Sequence, residues 1–185
     1  MRRLRLLVPV ALLTVLAGCA QFTAHRDYKS LPLLSPTTFG VEASALQRLT
    51  VTSEISKVTL EIDAALEVDS QAVRVAGFLL GQRVLLLTWD GNDLQEVRAT
   101  IVPRSLSGRS ILRDLQLVYW PTAAVRAALL PGWRLEEAAN QRRLYFGANL
   151  MLESKRHDAE PLGNAELWNH LEHYRIDIKA SHESR

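Results

Sequence analysis

Side chains able to do chemistry are few and scattered in this 185-residue chain. His170 and His173 are three residues apart, a spacing that would put two metal ligands on one helical face, but no carboxylate or cysteine framework accompanies them. Ser105 and Ser107 lack the Gly-x-Ser-x-Gly elbow that exposes a hydrolase nucleophile. Asp63 and Glu67 fall opposite an apolar stripe, where carboxylates are more simply solvated than catalytic. No glycine-rich phosphate loop occurs. These residues argue against an enzyme, a bound metal or a cofactor. They leave one thiol, Cys19, whose meaning comes from its position.

Cys19 ends the sequence Leu16-Ala17-Gly18-Cys19, which closes an apolar stretch from Leu6 to Ala17 behind Arg2, Arg3 and Arg5. A positive start, an apolar segment and small residues at the cut are the parts of a secretion signal. The apolar run is about a dozen residues, well short of the ~20 that a spanning helix needs. The leucine-small-glycine-cysteine ending resembles the bacterial lipoprotein signal. That resemblance implies a signal peptide over residues 1–18, a diacylglycerol thioether on Cys19, and a further acyl chain such as palmitate on the freed amine. Two or more acyl chains anchor a protein stably. Ala20 stands where an aspartate tends to mean inner-membrane retention, so the expected location is the outer membrane, with the domain facing the periplasm.

Removing the signal changes the charge balance. The 22 basic residues less three arginines leave 19 against 20 acidic ones, a net charge of −1. A nearly neutral chain without a basic run gives no electrostatic footprint for nucleic acid. With Cys19 acylated, no thiol remains for a disulfide. Residues 19–44, with Pro32, Pro36 and several Ser and Thr, read as a lipidated N-terminus and tether. Leu31, Leu33 and Leu34 are its best candidates for packing on the domain. Residues 45–185 then form one domain around one core, since a chain of this size buries roughly 70% of its unfolded surface.

The domain begins with a two-fold pattern. From Lys57 to Asp69, Val58, Leu60, Ile62, Ala64, Leu66 and Val68 alternate with polar and acidic residues, which predicts a long antiparallel strand apolar on one face. Strands are expected before it (Leu46 to Glu54) and after it (Ala72 to Leu79, Arg83 to Trp89, and Leu94 to Val102 beyond the Asp90-Gly91-Asn92-Asp93 turn). The period then lengthens. Ile111, Leu112, Leu115, Val118 and Tyr119 predict a short helix capped by Ser110 and stopped by Pro121. A second helix is expected from Ala123 to Leu130, ended by Pro131-Gly132. Strands resume at Trp133 to Ala138, Arg142 to Ala148, Leu150 to Lys155 and, after a looser stretch, Tyr174 to Lys179. The fold class is mainly β (α+β), a large antiparallel sheet with a helical insertion between its halves.

Taken in order, the Leu16-Ala17-Gly18-Cys19 signal, the meander, Leu80-Gly81 after the third strand and the helical segment ending in Leu130-Pro131-Gly132 resemble the LolB-like outer-membrane lipoproteins, relatives in fold of the periplasmic carrier LolA. Gly81-Gln82-Arg83 to Asp90-Gly91, and Asp114-Leu115-Gln116-Leu117-Val118-Tyr119-Trp120-Pro121, are also similar to uncharacterised lipoproteins that accompany aryl-polyene biosynthesis. The resemblance implies an incomplete antiparallel β-barrel with a short helical lid, around an apolar cavity that accepts acyl chains. It also implies partners: the outer membrane, an acylated cargo (a lipoprotein or a polyene lipid) and a LolA-like carrier. Each methylene left in water costs about 0.8 kcal/mol, so two long chains need a lining worth on the order of 20 kcal/mol. Residues expected to supply it are Val58, Leu60, Ile62, Leu66, Val84, Leu86, Ile111, Leu115 and Val118. An ordinary filled core gives the same pattern, and the alternative function is a scaffolding lipoprotein of an envelope or biosynthetic complex.

Gly77-Phe78-Leu79-Leu80-Gly81 places three large apolar residues where turns usually carry polar ones, the mark of an interaction site. In LolB-like receptors a leucine before the glycine protrudes and helps deliver cargo into the membrane. Leu80 occupies that position, with Leu79 where the family has proline. Phe78, Leu79 and Leu80 are the expected membrane-insertion loop; a loop folded back onto the sheet is the alternative reading of the same residues. Replacing Leu80 with glutamate is expected to leave folding intact and impair delivery, measured as transfer of lipid or lipoprotein from a soluble carrier into vesicles.

Overall fold

The computed structural model describes residues 28, 31–102 and 107–181. Cys19, the expected signal peptide and Ser105 lie outside the described residues. By its internal contacts the chain divides into Met1–Leu31 and Pro32–Arg185. The architecture that follows is that of the second unit.

Ten strands follow in sequence: β1 (Ala43–Ser53), β2 (Thr59–Val68), β3 (Val73–Leu79), β4 (Gln82–Trp89), β5 (Leu94–Arg98), β6 (Trp133–Ala138), β7 (Gln141–Phe146), β8 (Asn149–Arg156), β9 (Ala165–Asn169) and β10 (Tyr174–Ser181). Their spatial order is β5-β4-β3-β2-β1-β10-β9-β8-β7-β6, and every pairing is antiparallel. Two meanders are thus joined through the pairing of β1 with β10, and β5 and β6 are left as the free edges. The sheet does not close, so the molecule is an incomplete antiparallel barrel.

Between the edges the chain forms α1 (Gly108–Tyr119) and α2 (Thr122–Ala127), the expected helical insertion. Ser107 rather than Ser110 caps α1, its Oγ accepting from the Ser110 amide at 3.2 Å. The helix starts a turn earlier than expected because Gly108 admits the closest approach to the sheet. A Cβ there would come within 2.5 Å of Leu87 Cδ2 and 2.9 Å of Glu96 Oε2. A helix propensity argument disfavours glycine; tertiary packing overrides it here.

Register settles which side chains face the helices. Leu66 stands opposite Val75, Val75 opposite Leu87, and Leu87 opposite Glu96, so these share the inner, helix-bearing face with Ala64, Val68, Val73, Leu85 and Trp89. Across the central pairing the same face continues through Gln47, Leu49 and Val51 of β1 to Ile176 and Ile178 of β10. It ends with Leu167, Ser154 and Arg142 on β9, β8 and β7. The expected two-fold pattern of β2 is confirmed: its polar positions Glu61, Asp63 and Glu67 are exposed on the outer face. There Asp63 accepts from Arg48 Nε at 2.9 Å.

Two elements depart from expectation. Strand β9 lies in what reads as a loose stretch; only Ala165, Leu167 and Asn169 alternate there, too few for a period. The segment expected to be tether is partly core: Pro36–Phe39 forms a 3₁₀ turn with Pro36 and Phe39 buried, Leu33 is buried, and β1 begins at Ala43.

The β2–β3 turn is held by Asp69. One carboxylate oxygen accepts from the Gln71 and Ala72 amides at 2.7 and 2.8 Å, the other from Arg74 at 2.6 Å. The Arg74 guanidinium, and after it those two amides, hold the Asp69 carboxyl at about 2 against its ordinary 3.8. A carboxyl depressed in the folded state stabilises fully above its unfolded value and loses that contribution as pH falls through the folded one. The window here runs from 3.8 down to about 2. Urea midpoints on either side of it are expected to fall further for the native chain than for Asp69→Asn.

Candidate functional site

The inner face is divided into a sealed half and an open half. In the sealed half a strap, Pro32–Phe39, lies between the sheet and α1. The Leu34 carbonyl accepts from Trp89 Nε1 at 2.8 Å and Gln116 Nε2 at 3.0 Å, while the Leu34 amide donates to Gln116 Oε1 at 2.9 Å. Trp120 Nε1 donates to Thr38 Oγ1 at 3.0 Å, and the Trp120 and Phe39 rings sit 4.6 Å apart. A backbone inserted into an apolar interior must satisfy its polar groups, and buried Gln116 does this for both groups of Leu34 at once.

Three further polar ties fix the lid. Arg142 Nη1 donates to the carbonyls of Leu117 and Trp120 at 2.9 and 2.6 Å, and its Nε donates to Glu137 at 2.9 Å. A cation at the end of α1 suits the orphan carbonyls and the helix dipole. Gln47 Nε2 donates to Tyr119 Oη at 3.1 Å and to the Leu162 carbonyl at 2.9 Å, and Tyr119 donates to the Gly163 carbonyl at 2.7 Å. Tyr174 donates to the Asp114 carboxylate and accepts from Asn169 Nδ2 at 3.1 Å. Burial, and then the Asp114 charge, push the Tyr174 phenol well above its ordinary 10.0, so it stays a donor.

The open half is read along β2. On its inner face exposure rises from 1% at Val68 through 3% at Leu66 and 6% at Ala64 to 42% at Leu60; Val58, just before the strand, is 64% exposed. Ile62 lies between these extremes, and Leu49, Val51 and Ile176 beside it are half-buried. One apolar stripe therefore begins as core and ends as uncovered surface. Covering such surface is worth about 25 cal/mol per Å², so an uncovered aliphatic apron is costly to leave in water.

The residues expected to line one cavity separate into three groups. Val58, Leu60 and Ile62 form the open apron. Leu66 and Val118 are sealed core, and Ile111 and Leu115 are half-buried on α1. Leu86 is corrected outright: it pairs with Ala76 and Val97, which puts it on the outer face, while Val84 is the half-buried extra residue where the β3–β4 register shifts. The inward residues of β4 are Leu85, Leu87 and Trp89. Leu86 instead borders an outer groove of about 850 Å³ with Leu46, Ala65, Ala76, Glu67 and Arg74. A second outer groove, of about 540 Å³, adjoins it beside Phe78, Asp63 and Arg48. Both are open grooves that carry ion pairs, Glu67 with Arg74 in the first and Arg48 with Asp63 in the second.

The expected insertion loop is also redistributed. Phe78 and Leu79 belong to β3 and are half-buried, Phe78 opposite Asp63 on the outer face. Leu80 alone occupies the tip with Gly81, and it is 97% exposed. Both turn residues are left-handed, φ 51° at Leu80 and 76° at Gly81, as a two-residue hairpin turn of this hand demands. Asparagine or glycine suits that position; leucine is strained there. His170 and His173 lie in the β9–β10 connection, and among the described residues no group of three or more His, Cys, Asp or Glu is placed to hold a metal. No described helix is long and apolar enough to cross a membrane. The packing of Leu31 and Leu33 was expected and both are buried; what sequence reasoning missed is the strap's course between sheet and lid and the buried Phe39, which no period placed.

Fold and site together define a class: an open antiparallel half-barrel whose helical lid covers one half of its apolar inner face and leaves the other bare. Residues 44–182 match the family described as protein of unknown function (DUF3261), and the chain belongs to that family. No curated protein matches it.

The strain at Leu80 is measurable. Leu80→Asn is expected to raise stability by about 1 kcal/mol, since the αL penalty of an ordinary residue is roughly 1–2 kcal/mol, checked by denaturant midpoints.

Proposed function

We propose that this protein is a LolB-like lipoprotein that binds acyl chains on the open half of its inner face. It would take part in delivering a lipoprotein or an aryl-polyene lipid to the outer membrane without covalent chemistry. The observation that carries this reading is the exposure gradient along β2, where a continuous apolar stripe emerges from the core into the open. The order of motifs that resembles LolB-like receptors supports it, as does the strained, fully exposed Leu80 at the same end of the sheet. Anchoring through an acylated Cys19 would keep the apron close to a bilayer.

In this reading cargo does not lie beneath α1, because the strap and the protein's own Trp89, Leu87, Leu112 and Leu152 occupy that space. It lies across Leu49, Val51, Val58, Leu60, Ile62 and Ile176, entering from the end that carries the β1–β2 and β3–β4 hairpins. The sealed half serves as the rigid backing for this surface. A scaffolding role draws its support from a different observation, the outer groove around Leu46, Ala65 and Leu86.

Mass spectrometry of lipids retained by the purified chain separates the two. Bound acyl chains in near-stoichiometric amount are expected for the native chain and lost in Leu60→Glu. An exposed position tolerates that change within about 0.5 kcal/mol, whereas Leu66→Ala in the sealed half is expected to cost about 2–5 kcal/mol. Retention undiminished by Leu60→Glu, or a native chain that carries no lipid, would remove the acyl-binding reading.

A further inference from the structure

Antiparallel connectivity sends alternate loops to opposite ends of the sheet, and the two ends differ in chemistry. At one end lie the β1–β2, β3–β4, β7–β8 and β9–β10 turns and the segment leaving β5. Eight large apolar side chains are exposed among the described residues, and five of them, Ile55, Val58, Leu60, Leu80 and Ile101, are at this end. Ile55 is 75% exposed at the tip of the β1–β2 hairpin, between Glu54 and Lys57, and Leu80 caps the next hairpin but one, with Arg83 two residues beyond Gly81.

The opposite end carries residues 40–42 and the loops at 69–72, 90–93, 139–140 and 157–164. These hold Glu42, Asp69, Asp90, Asp93, Asp158 and Glu160 and neither lysine nor arginine. The turns that order this end use acids for their own backbone: Asp90 accepts from the Asn92 and Asp93 amides, and Asp158 from the Asn164 amide.

We infer that the β1–β2 hairpin is a second lipid-contacting prong, which acts with Leu80 to seat the apolar end of the sheet on a bilayer surface. Three features favour a lipid surface over a protein partner. The exposed residues are all aliphatic, whereas protein-binding hot spots are enriched in Trp, Tyr and Arg. They sit on protruding hairpin tips rather than on a flat patch with a polar rim. The acidic end lies away from them, so the negative potential of an anionic bilayer orients the molecule with its tips toward the lipid.

The inference does not depend on acyl chains binding the inner face, because contact with a bilayer requires only the tips.

The test uses the full chain carrying Cys19→Ser with vesicles of phosphatidylethanolamine and phosphatidylglycerol, the vesicle-bound fraction being collected by flotation. Single cysteines introduced by Ile55→Cys, Val58→Cys, Leu80→Cys and, at the acidic end, Asn92→Cys and Glu160→Cys carry an environment-sensitive fluorophore. Probes at 55, 58 and 80 are expected to shift to the blue and to be quenched several-fold more by lipids brominated along their chains than probes at 92 and 160. Unchanged thermal midpoints of the labelled proteins confirm that each remains folded. Probes at 55 and 58 that match those at 92 and 160 overturn the inference, even if the probe at 80 is quenched. A blue shift at 55 that follows protein concentration without lipid also overturns it, because the tip would then meet a second copy of the chain.

Discussion

The pairing of β1 with β10 is the interaction on which the rest of the structure depends. It runs from Leu46 opposite Ser181 to Ser53 opposite Tyr174 and joins two meanders that are otherwise independent hairpin stacks. It brings the first and last strands to the centre of the sheet, so β5 and β6, where the chain leaves and rejoins it, become the opposite edges. The connection between those edges must then cross the inner face, and α1 and α2 are that crossing. The lid is therefore a consequence of the strand order. Hydrophobic burial holds it down, while Arg142, Gln116 and Tyr119 choose where it rests by satisfying backbone groups that burial would otherwise leave unpaired.

The same arrangement explains why the inner face is only half covered. Helix α1 has 12 residues and extends about 18 Å, with Gly108 pressed on Leu87 and Glu96 near one edge and its last carbonyls held by Arg142 near the other. The strap fills the remaining space over Trp89 and leaves the β1–β2 hairpin side uncovered. A strand whose inner residues run from Val68 to Val58 must pass out from under such a lid. The exposed aliphatic apron follows from topology and helix length together, and at the same end the β3–β4 turn holds Leu80 against its backbone preference.

Much of this fold was legible where one physical period dominates. Strand β2 was readable because a polar face opposes an apolar one over ten residues, and β6 because Trp133 and Leu135 alternate with charges. Strand β4 was readable as a strand but not as a face: Val84 and Leu86 are as apolar as Leu85 and Leu87, and only pairing with β3 and β5 decides which pair turns inward. Strand β9 was too short to show a period. That Leu31, Leu33 and Leu34 pack could be read, but not where, because the partners Trp89 and Gln116 are 55 and 82 residues away from Leu34 in sequence. For the site, the stripe on β2 and the tip at Leu80 could be read from residue types. Where the lid stops, and hence which part of the stripe is bare, could not.

An unclosed sheet has two rows of unspent amides and carbonyls, each a template on which another molecule could zip up. Strand β5 has five residues with Gln95, Glu96 and Arg98 among them, and β6 has six, of which Arg134, Glu136 and Glu137 are charged. Stacking a like strand on either would set charges beside charges over a very short run, with little gain to offset it. The gap that leaves the barrel incomplete is thereby kept from becoming a seam for fibre growth, and the molecule can stay open without polymerising.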